Sequence, residues 1–390
     1  MTSSLSSEHF PGSASLSRAA LEEKLQAILI NDLEHDAFAL MARYQRILSD
    51  NDQRAAWPEI HDKLETLFMC GQAVALDGPM IGIPVSIRDS DYLKDVTQAL
   101  GRERSLVAQL EWMATAWNMT FADTGLWMGK TFEAVSQEET ARACENDDVV
   151  MGQYDSSTTR IGRNYFREPE DPDLIQGLGL PVLTRLWKLK PRPFHIDAPG
   201  FKATLSEKHL DKEKVIPYSM TGGIFLADRS TSAVPEMAGK EVYQLNYRWT
   251  ALGPVYPMTR LIDEIVQIDQ GLYLGQLVFA TQHYSLGHID IPFREGEALE
   301  LGETYRPRRE SFMSMLRRLF SGRPVHEEVD YGYQNNGFFL MMDPDYVDRI
   351  YADDVFPQLR PRPGEQGYQE YTSALHSDEV EQRRVIGLDR

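Results

Sequence analysis

The sequence predicts an α+β protein, with a helical N-terminal region followed by a curved, mainly antiparallel sheet that is barrel-like or half-barrel. Three observations lead there. Apolar residues recur at three- and four-residue steps from Leu21 to Leu48, the period of a helix with one buried face. Tyr243-Gln-Leu-Asn-Tyr-Arg-Trp249 alternates strictly, with Tyr243, Leu245, Tyr247 and Trp249 facing one way, as in a half-buried strand. The runs Ile262–Ile268 and Leu272–Ala280 are joined by Asp269-Gln-Gly271, the composition of a hairpin turn.

Taken in order, residues 1–16 are rich in Ser, Gly and Pro and read as a disordered leader. Ser17 is placed to cap a helix running to about Leu48, and Trp57 to Met69 carries a second helical repeat. Asp77-Gly78 between short apolar runs suggests a hairpin, with Pro84 confining the second run to an edge or a bulge. Helical spacing returns from Tyr92 to Asn118, and Arg306 to Arg323 reads as a short basic helix. The expected division is a mainly helical region with a short hairpin at 17–145, a strand-rich ligand-binding-like domain at 146–350, and a loosely ordered tail at 351–390.

The chain has 390 residues and a formal net charge of -19. So negative a surface repels phosphate backbones and anionic headgroups, which disfavours nucleic acid as a partner. No run is long and apolar enough to span a membrane. The Ser-rich start lacks the basic and apolar segments of a secretory signal. Cys70 and Cys144 stand far apart with no CxxC partner, which excludes a disulfide framework and suits reduced thiols. Together these predict a cytoplasmic protein.

Four groups of residues carry candidate chemistry. Gly125-Leu-Trp-Met-Gly-Lys-Thr-Phe132 puts Trp127 and Lys130 in a glycine-rich phrase that suits a tight turn against a ligand; it is one residue short of a phosphate loop. The aromatics Tyr243, Tyr247, Trp249, Tyr256, Tyr273 and Phe279 lie on or near the strand-like segments and would line an apolar cavity, with Arg260 or Lys130 orienting an acidic head group. His195, His283 and His288 are candidate acid/base or metal-ligating groups, although a spacing of five between His283 and His288 brings two rings together only if the chain turns. Asp263 and Glu264 are sequence neighbours, so in a strand they face opposite ways and form no dyad. A buried member of the pair would need Arg248 or Arg260 as its partner, and the plainer reading is one exposed carboxylate and one structural salt bridge.

The Gly271-Leu-Tyr-Leu-Gly275 phrase leading into an alternating strand resembles, over this one hairpin, the curved sheets of lipocalin-like and violacein-enzyme-like proteins. That resemblance implies a small ligand-carrying barrel and assigns no residue roles. The terminal Arg383-Arg-Val-Ile-Gly-Leu-Asp-Arg390 looks similar to the terminal peptides that load cargo into encapsulin shells.

The leading functional expectation is binding of a small, largely apolar molecule, lipid-like or isoprenoid-like, in a β-sheet cavity. The first alternative is a cofactor-light or metal- or haem-dependent enzyme using His as acid/base. The second is an interaction or shell-cargo protein docking a partner through its C-terminal tail. Composition and spacing leave the cofactor and the metal open.

Overall fold

A computed structural model describes residues 4–13, 16–33, 36–87, 126–144, 148–168, 181, 184–191, 207–254, 258, 261–280, 285–290, 298–302 and 333–346, with scattered positions from 356 to 373. Its centre is a closed, eight-stranded antiparallel barrel. The strands are β1 (Gly78–Ile87), β2 (Trp127–Ala134), β3 (Arg160–Phe166), β5 (Met220–Thr231), β6 (Glu241–Asn246), β7 (Leu261–Asp269), β8 (Leu272–Ala280) and β11 (Tyr333–Met342). Going round the wall the order is β3, β2, β1, β11, β8, β7, β6, β5, and pairing of β3 with β5 closes the ring. The two-residue strand β4 (Lys190–Pro191) adds to β5, and β9 (Ser285–Asp290) pairs with β10 (Ala298–Gly302) as a separate ribbon. Closure leaves the barrel no open edge, which removes the aggregation hazard of an exposed strand.

The expected α+β class and barrel-like sheet are what the structure has. The sheet, however, crosses the expected 145/146 boundary, since β1 and β2 come from the region read as mainly helical. Gly78–Ile87 is one strand rather than the second arm of a hairpin, and it is paired on both sides, to β2 and β11. Pro84 is tolerated there because the register slips between Pro84 and Ser86, a bulge where a missing N–H costs no ladder bond. Gly125–Phe132 is likewise no turn: from Trp127 it is strand β2.

Alternation sorts the wall residues onto two faces. Ile262, Val266, Leu274, Val278, Leu340 and Met342 face outward and join the larger core formed with the helices, whereas Leu261, Ile265, Tyr273, Phe339 and Met341 face inward. Helices α1 (Arg18–Asn31), α2 (Ala37–Ser49) and α3 (Trp57–Cys70) cover the outward apolar face with Leu21, Leu25, Met41, Tyr44, Leu64 and Phe68. The single helix expected from Ser17 is two. Ser17 does cap α1, accepting from the Ala20 N–H, but α1 stops at Asn31 and Asp36 caps α2 by accepting from Ala39 N–H. Asp32, at the end of α1, accepts from Arg43 and Tyr44 and pairs with Lys63, so the break is tied down by charge-assisted bonds.

Phe10 and Phe356, from segments expected to be loose, both contribute to this core. Phe10, in the stretch expected to be disordered, is fully buried, and Ser6 N–H donates to Cys70 C=O. An aromatic anchor overrides a polar composition once a groove exists for it. In the expected loose tail, Phe356 is buried edge-on against Phe38. The helical reading of 92–118, the basic helix at 306–323 and the terminal peptide at 383–390 lie outside the described residues.

Antiparallel order sends every second connection to the same end of the barrel. The segments 88–126, 167–219, 247–260 and 281–332 all leave and re-enter at the end marked by Ile87, Trp127, Phe166 and Leu261. The opposite end has the two-residue turn at Gln270-Gly271, the 232–240 connection and the 135–159 connection. Long connections on a rigid scaffold are where binding surfaces concentrate.

Candidate functional site

The barrel interior is filled mainly by rings. Trp127, Phe132, Phe166, Trp187, Phe225, Tyr243, Tyr247, Tyr273 and Phe339 form one buried cluster. An eight-stranded barrel is just wide enough for side chains or one small guest, and glycines on the wall make room for the larger rings. Gly275 is paired directly with Phe339, whose ring lies over it, and Gly82 lies under the Trp127 ring.

Two positions on β2 turn inward because of a third. Gly129 has φ +135° and a register slip falls between Trp127 and Gly129. This bulge lets Trp127 and Lys130, three residues apart, reach the same cavity. A side chain at 129 would run into Met80 C=O, so only glycine fits.

Lys130 is 3% exposed, and its ammonium is fully matched. Nζ donates to Asn164 Oδ1 at 2.6 Å and to Tyr247 OH at 2.7 Å, and pairs with Asp263 Oδ2 at 2.8 Å. Asn164 is the cross-strand partner of Lys130 on β3, and Asp263 comes from β7, four strands away by either route round the wall. The charge therefore bridges the barrel's diameter. Four rings surround it, with centroids 5.1 Å (Trp127), 5.3 Å (Phe339), 5.4 Å (Tyr247) and 5.6 Å (Phe225) from Nζ, within the range of cation–π attraction.

Desolvation holds the Lys130 ammonium below its ordinary pKa, and the Asp263 carboxylate pulls the other way. Burial, with the nearby Asp263 charge, raises Tyr247 well above the usual phenol range. Its OH stays protonated and donates to Asp263 Oδ2 at 2.8 Å. Asn164 is oriented by its own bond to Gly223 C=O, and its Oδ1 also accepts from Trp127 Nε1–H. One atom is left over: Asp263 Oδ1 is buried with no hydrogen-bond partner, a vacancy with a cost of its own.

This group forms one side of a cavity of about 30 Å³ toward the end of the barrel marked by Trp127 and Leu261. Asp263, Asn164, Lys130 and Ser86 supply its polar lining, and Trp127, Trp187 and Phe339 are among its apolar walls. The volume holds a water-sized guest without movement.

Of the residues expected to bind ligand, Trp127 and Lys130 line the cavity, and Tyr247 holds Lys130 from behind. Tyr243 and Tyr273 are interior but do not line it; Tyr243 OH donates to Thr158 C=O. Trp249 needs correction. It lies past the end of β6 and joins a separate cluster with Val135, Ala143, Cys144, Ile161, Leu226 and Leu252. Tyr247 also lies past the end of β6 yet stays in the interior cluster, so the alternation is lost between Tyr247 and Trp249. His195, His283, Tyr256 and Arg260 lie outside the described residues, as do the side chains of His288 and Phe279, whose backbones belong to β9 and β8.

The acidic pair also differs from expectation. Both carboxylates are buried: Asp263 takes Lys130, not an arginine, and Glu264 faces outward to accept from Ser232 OH, Ala233 N–H and Gln276. Sequence reading missed Asn164, Trp187, Phe225 and Phe339. Asp263 was legible in part, since it sits in phase with inward Leu261 and Ile265.

Among the described residues no group of three or more His, Cys, Asp or Glu is placed to hold a metal ion, and no helix is long and apolar enough to cross a membrane. No family model, curated protein or solved structure matches the chain.

Proposed function

We propose that the barrel binds a small, largely apolar molecule, with its polar end at the Lys130–Asp263 pair and its apolar body against Trp127, Trp187 and Phe339. The observation that carries this reading is the unpartnered Asp263 Oδ1 in the wall of an aromatic cavity. A guest with a hydrogen-bond donor would satisfy that atom and bury apolar surface in the same step. Because Lys130 already has an internal counter-charge, a neutral polar end suits the site better than the acidic head group expected from the sequence.

Size refines the ligand class. A long lipid or isoprenoid chain would require many interior rings to move, and a compact, planar molecule fewer. The carrier reading therefore favours a compact aromatic or short-chain ligand over a long chain, with the lining rings moving apart to admit it. Cys70 and Cys144 are buried thiols that form no disulfide, in accord with the reducing, cytoplasmic setting that the reading assumes.

The test is titration of the purified protein with neutral aromatic alcohols and short-chain alcohols, read by tryptophan fluorescence. Trp127 and Trp187 border the cavity, so occupancy predicts saturable quenching that Asp263→Asn weakens. Native mass spectrometry checks for a co-purified guest. Linear, non-saturating responses throughout, with no retained guest, would sink the proposal.

A further inference from the structure

We propose that Lys130 is the covalent attachment point for a small aldehyde or ketone, held as a protonated imine with Asp263 as its counter-ion. This rests on the binding reading above and goes further by naming the reactive group.

Five features of the site converge on it. Lys130 is a primary amine bordering the cavity, the only kind of side chain there that condenses reversibly with a carbonyl. A carboxylate lies 2.8 Å from Nζ, near enough to take the proton that must leave before the amine can attack. A phenol, Tyr247, contacts both groups, at 2.7 Å and 2.8 Å, and can relay a proton between them. The rings of Trp127, Phe225, Tyr247 and Phe339 enclose the nitrogen, so the cationic imine would meet the same ring faces that now surround the ammonium. Burial also shifts Lys130 toward its neutral, nucleophilic form.

The step balances without any further reactant. The Lys130 ammonium passes a proton to Asp263. The free amine adds to the carbonyl carbon, and one N–H proton moves to the former carbonyl oxygen, giving a carbinolamine. Its hydroxyl can donate to the unpartnered Asp263 Oδ1. The proton held by Asp263 then returns to that hydroxyl, water leaves and C=N forms. The net change is ammonium plus carbonyl to iminium plus water, with the positive charge again facing an ionised Asp263.

The experiment treats the full chain with propanal or benzaldehyde and sodium cyanoborohydride, followed by intact mass and peptide mapping. The expected result is one fast alkylation, at Lys130, well ahead of the surface lysines. It should persist to lower pH than theirs, as a depressed amine pKa requires. Lys130→Arg should abolish the fast adduct, and Asp263→Asn should slow it by about 10²-fold, the typical reach of a positioned acid/base. Should Lys130→Arg not fold, mapping on the native chain still decides the site. Labelling spread evenly over exposed lysines overturns the proposal.

Benzyl alcohol separates the two readings, since it binds but cannot condense. Saturable quenching by benzyl alcohol without a Lys130 adduct from benzaldehyde leaves the binding reading standing and removes the imine. Neither quenching nor adduct removes both.

Discussion

Lys130 Nζ and Asp263 Oδ2 lie 2.8 Å apart across the full width of the barrel, on strands four apart in the ring. The contact ties opposite walls together and is removed from bulk water. Desolvating both charges is expensive, and their attraction offsets that cost only while both partners are present. Lys130→Met or Asp263→Leu alone should therefore destabilise by about 3–5 kcal/mol. The double variant should cost clearly less than the sum, because no orphan charge remains. Urea unfolding of the three variants and the parent measures the coupling; strict additivity would show that the pair is not energetically linked.

Gly129 controls whether Lys130 reaches that partner. Gly129→Ala places a methyl against Met80 C=O at φ +135°, and straightening the bulge would throw Lys130 out of phase with the interior. The expected loss is at least about 2 kcal/mol. Gly152→Ala is the control: it lies in the helix Asp148–Gln153, with nothing within 4 Å of the added carbon, and should gain about 0.5–1 kcal/mol. Thermal melts that move both variants the same way would refute the bulge argument.

Outside the wall, Glu133 has both carboxylate oxygens buried without hydrogen bonds, and Arg163 Nη1 is 3.6 Å away. Burial pushes its carboxyl up to about 7 from 4.5, with Arg163 opposing and Glu213 reinforcing. The folded state therefore holds an extra proton between those values, so stability rises as pH falls through about 7 and the gain is complete near 4.5. Glu133→Gln removes this dependence. It should stabilise on the order of 3 kcal/mol at pH 8 and less than about 1 kcal/mol at pH 5. Chemical unfolding at the two pH values reads the difference, and an equal effect at both would count against a perturbed Glu133.

Phe339 lies between Gly275 and the Trp127 ring, 5.4 Å from the latter and edge-on to it. Phe339→Ala should enlarge the cavity and cost about 3–5 kcal/mol. Benzene or indole should recover part of the loss by filling the space, raising the melting temperature of the variant more than that of the parent. Equal shifts for both proteins would mean that the space collapses or stays closed.

The helical repeats of α1 to α3 and the β6 to β8 meander are legible because each element shows its own period over a contiguous stretch. Interior and exterior are legible wherever a strand alternates without interruption, as at Leu261, Asp263 and Ile265. The reading fails where a bulge resets the phase. Trp127 and Lys130 differ by an odd number of positions yet share one cavity, and no local pattern announces Gly129 as the reason. It fails again at Trp249, where apolar alternation continues in the sequence but the side chain joins a different cluster from Tyr247.

By itself the sequence determined the helical repeats of α1 to α3, the extended segments β6 to β8, and that apolar and aromatic surface suffices for a barrel interior, since these follow from local period and composition. Barrel closure by β3 and β5 and the partner of Asp263 were decided only in three dimensions. Lys130 and Asp263 are separated by more than a hundred positions in the chain, and nothing in either neighbourhood encodes the other. Their pairing arises because an eight-strand ring sets β2 and β7 face to face, and low dielectric between the walls leaves a buried ammonium no stable alternative to a buried carboxylate.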